Sequence, residues 1–191
     1  YVNAEVIPYS KTKDIKIDKP QLILAFGEKE LIKNPEFYTR LRAYFPSSEI
    51  AICSTPGEIY DQEVYDETVV ITALEFDQTP IMTAKVNIAD YKNSLEAGIA
   101  LAQKILTDDL NYVMVLSDGA LINGSELIKG ITNILPENLP VTGGLAADGI
   151  AFQSTGVGLN EVPKIGEVLA IGFYGKHLQV GHGSMGGWDT F

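Results

Sequence analysis

The chain has 191 residues, of which 46% are hydrophobic, and its formal net charge is −11. A chain of this length and composition is typical of one globular domain with a buried core. The negative charge argues against nucleic acid or an anionic membrane as a partner, and no apolar run in the sequence is long enough for a transmembrane helix.

The single cysteine, Cys53, excludes an internal disulfide, which is typical of proteins from reducing compartments. We therefore expect a cytoplasmic protein. Because this cysteine ends an apolar run, we interpret it as a buried small hydrophobic residue.

Residues 1–19 are polar and rich in lysine, and Pro20 follows them. We interpret this segment as an N-terminal arm and residues 20–191 as the folded domain. No low-complexity segment or obvious internal repeat interrupts the second range.

The first strand–helix–strand pattern opens with residues 21–26 (QLILAF), which predict a buried strand. Asn34 and Pro35 predict the start of a helix, because asparagine caps helices and proline is accepted at the first helical position. Residues 49–53 predict the next strand. We therefore expect a right-handed parallel crossover.

Two more strands are predicted at residues 67–76 and 81–88. The short link between them predicts a β-hairpin. The acidic run at residues 58–67 lacks the tight glycine turn of a calcium-binding loop, so we interpret it as a solvated loop.

A second strand–helix–strand pattern follows a helix for which Asn93 predicts the N-cap. Residues 112–116 (YVMVL) predict a strand, and Asn123 or Ser125 predicts the cap of the next helix. Another strand begins at Val141. This pattern predicts a second parallel crossover.

The pattern changes in the last third of the chain, where residues 151–158, 167–174 and 177–183 predict strands joined by short links. A tight turn is predicted at residues 174–176. The sequence as a whole predicts a mixed α/β (α+β) domain. Its mixed sheet has strand–helix–strand units in the first two thirds, antiparallel strands at the C-terminal end, and helices packed on the sheet.

Four loops follow the carboxyl ends of predicted strands, where ligands bind in many open α/β sheets. A backbone without large side chains lets a ligand approach peptide groups, and a carboxylate can hold a cation or an ammonium group. The candidate ligand-binding residues in these loops are Ser54, Thr55, Gly57, Glu58, Ser117, Asp118, Gly119, Gly143, Gly144, Asp148 and Gly149.

These candidates also have ordinary structural interpretations. Two glycines after a strand are often a bulge or a close crossing of chains, and Asp-Gly is a common turn. Ser54 lacks the preceding glycine of a nucleophile elbow, and no catalytic triad can be assembled. We therefore predict that the protein is not an enzyme, with a hydrolase that uses Ser54 or Cys53 as the alternative.

His177 and His182 are the only histidines. On one regular strand their odd spacing would place them on opposite faces, so they do not predict a shared metal site. Each of them alone is a candidate for an axial haem ligand.

The chain contains a set of segments in a characteristic order: QLILAFG, AICSTPGEI, YVMVLSDGALINGSELIKGI, VTGGLAADG, VLAIGFYGKHLQVGHG and GGWDTF. Their order and spacing resemble the N-terminal domain of the FIST family, the "F-box and intracellular signal transduction" proteins. The resemblance covers roughly residues 20–191.

The resemblance implies an intracellular sensory domain that binds a small ligand, with an amino acid among the candidates, and it implies no catalytic residue or cofactor. Backbone N–H groups would bind the carboxylate of an amino acid, and Asp118, Asp148 or Glu58 would hold its ammonium group.

It also implies partners: a C-terminal FIST domain and a signalling protein such as a histidine kinase or a cyclic-dinucleotide enzyme. A segment like Gly187-Trp188 leads into that second domain, which we expect to lie outside this chain. The alternatives are a haem-based nitric-oxide sensor that uses His177 or His182, and a plain scaffold.

Overall fold

The computed structural model describes residues 2–149 and 154–183. The strands in this part of the chain are Val2–Pro8 (β1), Leu22–Gly27 (β2), Glu49–Ser54 (β3), Glu58–Tyr60 (β4), Glu63–Tyr65 (β5), Val69–Phe76 (β6), Ile81–Asn87 (β7), Leu110–Ser117 (β8), Val141–Leu145 (β9), Val157–Leu159 (β10) and Glu167–Tyr174 (β11). The α-helices are Lys29–Lys33 (α1), Pro35–Tyr44 (α2), Ser94–Ile105 (α3) and Gly124–Thr132 (α4), and short 3-10 helices occupy Tyr9–Asp14 and Ile88–Asp90.

Two mixed sheets pack face to face. The strand order is β1-β6-β2-β3-β10 in the first sheet and β7-β11-β8-β9 in the second, and β4 pairs with β5 as a separate hairpin. Apolar side chains from both sheets meet in one buried cluster, which includes Leu24 and Cys53 from the first sheet and Leu169 and Ile171 from the second. Burial of this apolar surface holds the sheets together.

Helices cover the outer face of each sheet. Ile32 of α1 and Leu41 of α2 pack on the first sheet. Leu101 of α3 and Leu127 of α4 pack on the second. The molecule therefore has four layers, helices–sheet–sheet–helices. This arrangement confirms the predicted fold class, although the sequence does not predict that the strands divide into two sheets.

Both pairs of strands are parallel as predicted, β2 with β3 and β8 with β9. Two of the helices between them, α2 and α4, begin at predicted caps, whereas α1 was not predicted. Asn34 Oδ1 accepts a hydrogen bond from the N–H of Glu36 over 2.9 Å, and Asn123 Oδ1 accepts one from the N–H of Glu126 over 3.1 Å. Asn123, rather than Ser125, is therefore the cap of α4.

The hairpin predicted between residues 67–76 and 81–88 is wrong, because β6 and β7 lie in different sheets. β6 is paired with β1 on one side and with β2 on the other, so neither of its edges is open to β7. The chain after Phe76 instead crosses to the second sheet. Phe76 still packs against that sheet, since its ring centroid lies 5.6 Å from that of Phe173.

The predicted strand at residues 167–174 is confirmed as β11, which is antiparallel to both β7 and β8. The strand predicted at residues 177–183 is wrong. Because both edges of β11 are already paired, a following hairpin strand has no place beside it. The chain turns at Gly175, and the carbonyl of Leu178 accepts a hydrogen bond from Asn111 Nδ2 over 2.7 Å.

The remaining predictions concern the strand at residues 151–158, the Gly187-Trp188 segment and the acidic run. Residues 151–153 of the predicted strand 151–158 lie outside the described residues, as does the Gly187-Trp188 segment, and β10 forms at residues 157–159. The acidic run is not a loop, because it forms the β4–β5 hairpin and buries Glu58. In residues 2–149 and 154–183, no helix is long and apolar enough to cross a membrane.

Candidate functional site

The ends of β3 and β8 meet the segment after β9. The N–H of Ala147 donates to the carbonyl of Ser54 over 2.9 Å, and the N–H of Ala146 donates to the carbonyl of Ser117 over 2.7 Å. The N–H of Gly156 donates to Ser54 Oγ over 3.0 Å. The structure thus brings together three of the loops that the sequence singles out.

Asp118 follows β8 directly, and its carboxylate is fully buried. Oδ1 accepts hydrogen bonds from the N–H groups of Ala120 and Leu121 over 2.8 and 2.7 Å, and Oδ2 accepts one from the N–H of Gly166 over 3.1 Å. These bonds tie the turn after β8 to the start of β11. The carboxylate therefore stabilises the fold, and a ligand would have to displace backbone donors to reach it.

Ser54 and Cys53 lack the surroundings of a catalytic nucleophile. Both side chains are buried, and Ser54 Oγ accepts its hydrogen bond from a backbone N–H. Burial raises the pKa of the Cys53 thiol to about 12, and the negative charge of Asp118 adds to the rise. The thiol is therefore protonated at neutral pH and is a poor nucleophile.

Asp148 lies in the segment after β9 and is almost fully buried. Its Oδ2 accepts a hydrogen bond from the N–H of Ser154 over 2.9 Å and lies 3.6 Å from Lys29 Nζ. The sequence analysis did not single out Lys29, although it follows the end of β2, where the same strand-end argument applies. The pair links the two sheets through opposite charges that are both largely removed from water.

Thr55, Gly57 and Glu58 form a separate corner that faces β2. The N–H of Thr55 donates to the carbonyl of Gly27 over 3.1 Å, and Thr55 Oγ1 donates to Glu58 Oε1 over 2.7 Å. Burial is the main cause of a raised pKa at the Glu58 carboxyl. These predicted residues thus lie together but belong to the packing around the β4–β5 hairpin.

The predicted glycines divide into two kinds. A Cβ at Gly119 would lie 2.0 Å from a backbone oxygen of the segment after β9, and a Cβ at Gly143 would lie 1.8 Å from the carbonyl oxygen of Val115. These two glycines are required by close approach of the backbone. Among the described residues, a Cβ at Gly144 or Gly149 would meet nothing within 4 Å.

A groove of about 440 Å³ lies between β9 and α4. Its size is within the range of small-molecule sites. Apolar side chains form its walls, chiefly Val115, Leu127, Ile128 and Leu145. Ser117, Gly143 and Gly144 also line it, and among the described residues they are the only ones of the eleven predicted ligand-binding residues that do.

The groove lies where α4 passes β9, which is the edge strand of its sheet. A Cβ at Gly98 would lie 2.3 Å from the carbonyl oxygen of Leu127, and a Cβ at Gly130 would lie 2.2 Å from that of Leu95. These two glycines let α3 and α4 touch along their backbones. The close contact holds α4 beside α3, and the outer part of β9 stays uncovered.

The sequence predicts the helix that became α4 but no ligand contact from Ile128. The residue is 42% exposed, and Leu145 on the opposite wall is 52% exposed. The available signal was the width of the apolar face of α4. A face that includes two adjacent residues, Leu127 and Ile128, is broader than one layer of packing needs.

The two histidines occupy different places. His177 is exposed in the turn after β11, whereas His182, also exposed, lines the groove. Within residues 2–149 and 154–183, no group of three or more His, Cys, Asp or Glu side chains is arranged to hold a metal ion.

The amino-acid sequence matches the family model of the FIST N domain over residues 21–191. No curated protein matches the chain in sequence. FIST domains form a family of sensory domains in signal transduction. Because the match spans most of the chain, the protein belongs to the FIST N domain family.

Proposed function

We propose that this FIST N domain is a cytoplasmic sensory module that binds a small ligand in the groove between β9 and α4 and passes the signal to a partner. The observation that carries the proposal is the groove itself, which is apolar, open and large enough for a small molecule. Two of its wall residues, Ile128 and Leu145, stay partly exposed in the folded protein, so a ligand would bury apolar surface that folding does not.

The predicted ligand-binding residues have two roles in this proposal. Ser117, Gly143 and Gly144 line the groove and would contact the ligand. Ser54, Asp118 and Asp148 are not among its described lining residues, and their hydrogen bonds fix the loops around the ends of β3, β8 and β9. A free amino acid would fit less well than a neutral molecule, because the charged groups of a zwitterion would have no partner of opposite charge among the described lining residues.

The path of the signal follows from the packing of α4. Ligand that fills the groove would press on Ile128 and Leu127 of α4, and the close backbone contact at Gly98 and Gly130 would carry a displacement to α3. The partner would be a C-terminal FIST domain or a signalling protein such as a histidine kinase or a cyclic-dinucleotide enzyme. The resemblance to the family supports these partner classes.

Haem is the second candidate, because His182 lines the groove and could supply an axial ligand. Haem also carries two propionates, for which the described lining offers no lysine or arginine. An absorbance spectrum after haem reconstitution tests this candidate. A Soret band that shifts in His182→Ala but not in His177→Ala would support it, and no Soret band would remove it.

Native mass spectrometry of protein purified from cells tests the main proposal. We expect a retained small molecule, visible as added mass, that is lost in Ile128→Trp because the larger side chain fills the groove. Ile165→Trp is the matched control, since Ile165 is 48% exposed, similar to Ile128 at 42%, and does not line the groove. A ligand that both variants retain equally would place binding elsewhere and contradict the proposal.

A further inference from the structure

The outer edge of β9 carries backbone groups that face away from the sheet. The N–H of Val113 donates to the carbonyl of Pro140 over 3.1 Å, and the N–H of Ala146 donates to the carbonyl of Ser117 over 2.7 Å. In a parallel ladder, alternate residues of a strand bond to the same neighbour. The even-numbered residues of β9 therefore face β8, and the odd-numbered residues, including Gly143, direct their N–H and C=O groups outwards.

The close approach of Gly143 to β8 agrees with this assignment. A Cβ at Gly143 would point at Val115, with its carbonyl oxygen 1.8 Å and its nitrogen 3.0 Å away. The α-carbon of Gly143 thus faces β8, and its peptide groups face the open edge. Gly143 is also exposed and lines the groove, so an N–H donor and a C=O acceptor from one residue lie beside the apolar walls.

The groove is uncharged in a strongly charged chain. The sequence has 14 lysine and arginine residues and 25 aspartate and glutamate residues, yet none of these lines the groove among the described residues. Enclosing a charged group there would remove its water without providing an opposite charge. Electrostatic complementarity therefore favours a ligand whose part inside the groove carries no charge.

We propose that the groove binds a flat, neutral heterocycle that carries a ring N–H next to a ring C=O, as a lactam does. The ring N–H donates to the carbonyl oxygen of Gly143, and the ring C=O accepts from its N–H. The apolar part of the ligand lies between Leu145 and Ile128. This inference rests on the proposed function, and it adds the chemical class of the ligand.

A pair of matched probes tests the hydrogen bonds directly. The first probe is 2-quinolinone, a bicyclic lactam, and the second is N-methyl-2-quinolinone, which has the same rings but no donor. Binding is followed by NMR through the amide signals of isotope-labelled protein. We expect 2-quinolinone to shift the Gly143 amide signal and to bind about tenfold more tightly than its N-methyl form, as the loss of one hydrogen bond and an added clash predict.

The variants locate the binding. Ile128→Trp is expected to abolish the shift of the Gly143 signal, and Ile165→Trp is expected to preserve it. Equal affinity for the two probes, or no binding of either, would overturn the lactam class. A shift of β9 signals that depends on protein concentration without any probe would also overturn it, because a second copy would then occupy the edge. None of these results removes a ligand found by native mass spectrometry, so the proposed function is judged separately.

Discussion

The carboxylate of Asp118 accepts a hydrogen bond from the N–H of Gly166 over 3.1 Å, which joins the end of β8 to the residue before β11. The two residues are far apart in the sequence, yet this bond fixes the loop that begins next to Ser117 of the groove. A carboxylate that the sequence offers as a ligand for ammonium thus serves as a backbone clamp.

Replacing Asp118 by alanine is expected to destabilise the protein by about 3 kcal/mol, because buried N–H groups would lose their acceptor. Asp118→Asn should lose less stability, since the asparagine side chain keeps one acceptor oxygen. The free energy of unfolding from urea titration measures both effects. Asp108→Ala is the control, because Asp108 is exposed, and a loss at Asp118 no larger than at Asp108 would contradict the clamp.

The pair of Lys29 and Asp148 allows a test of coupling between the sheets. Lys29→Met and Asp148→Asn should each destabilise the protein. The double variant should lose less unfolding free energy than the sum of the two single losses. We expect a coupling energy of about 1–3 kcal/mol, because each single change takes away the opposite charge that lies 3.6 Å from a largely buried group. Urea titrations of the wild type and the three variants complete the cycle. Strict additivity would mean that the 3.6 Å contact contributes nothing.

Cys53 should react very slowly in the folded protein. Burial raises the thiol pKa from 9.0 to about 12, so at pH 8 the thiolate fraction falls by roughly a thousandfold. The rate of reaction with Ellman's reagent measures this, with urea-unfolded protein as the reference. The folded-state pKa is raised, so deprotonation also opposes folding, and stability should decline above about pH 9. A native rate close to the unfolded rate would refute the burial of this thiol.

Glu58 should make stability depend on pH. Burial raises the carboxyl pKa above its ordinary value of 4.5, so the folded state holds the proton more tightly than the unfolded state. Stability from this group is therefore present at low pH and declines as pH rises above 4.5. Glu58→Gln removes that decline, because its amide stays neutral.

The measurement for Glu58 is the difference in unfolding free energy between Glu58→Gln and wild type at several pH values. The difference should move in favour of the variant between pH 4.5 and pH 7. Glu63→Gln, at an exposed position of the same hairpin, is the control for the substitution itself. An opposite trend at Glu58 would mean that the folded protein prefers the carboxylate.

Local features were predictable because they depend on neighbours in the sequence. Asn34 and Asn123 cap helices as expected, since a cap needs only the N–H groups that follow it. Both parallel crossovers were also predictable from the alternation of strand and helix. The hairpin after Phe76 failed because its outcome depends on β1, which takes the edge of β6 from a distant part of the chain.

The candidate site was predictable only as a region. The strand-end rule led to loops that do meet, but it could not tell which polar groups the fold itself uses. The carboxylate of Asp118 already accepts hydrogen bonds from backbone N–H groups, whereas the N–H and C=O groups of Gly143 face the open edge of β9. This difference depends on the order of the strands in the sheet. The α4 wall was missed because the exposure of Ile128 depends on how α3 and α4 pack.

Two wall residues of the groove lie outside the buried clusters, and this position has a consequence for how such domains diversify. Ile128 and Leu145 are 42% and 52% exposed, so neither is needed to fill the interior. Substitutions at these positions can change which molecule is recognised at little cost in stability. Related domains could therefore come to bind different ligands through substitutions at these two positions alone, while the four-layer fold stays the same.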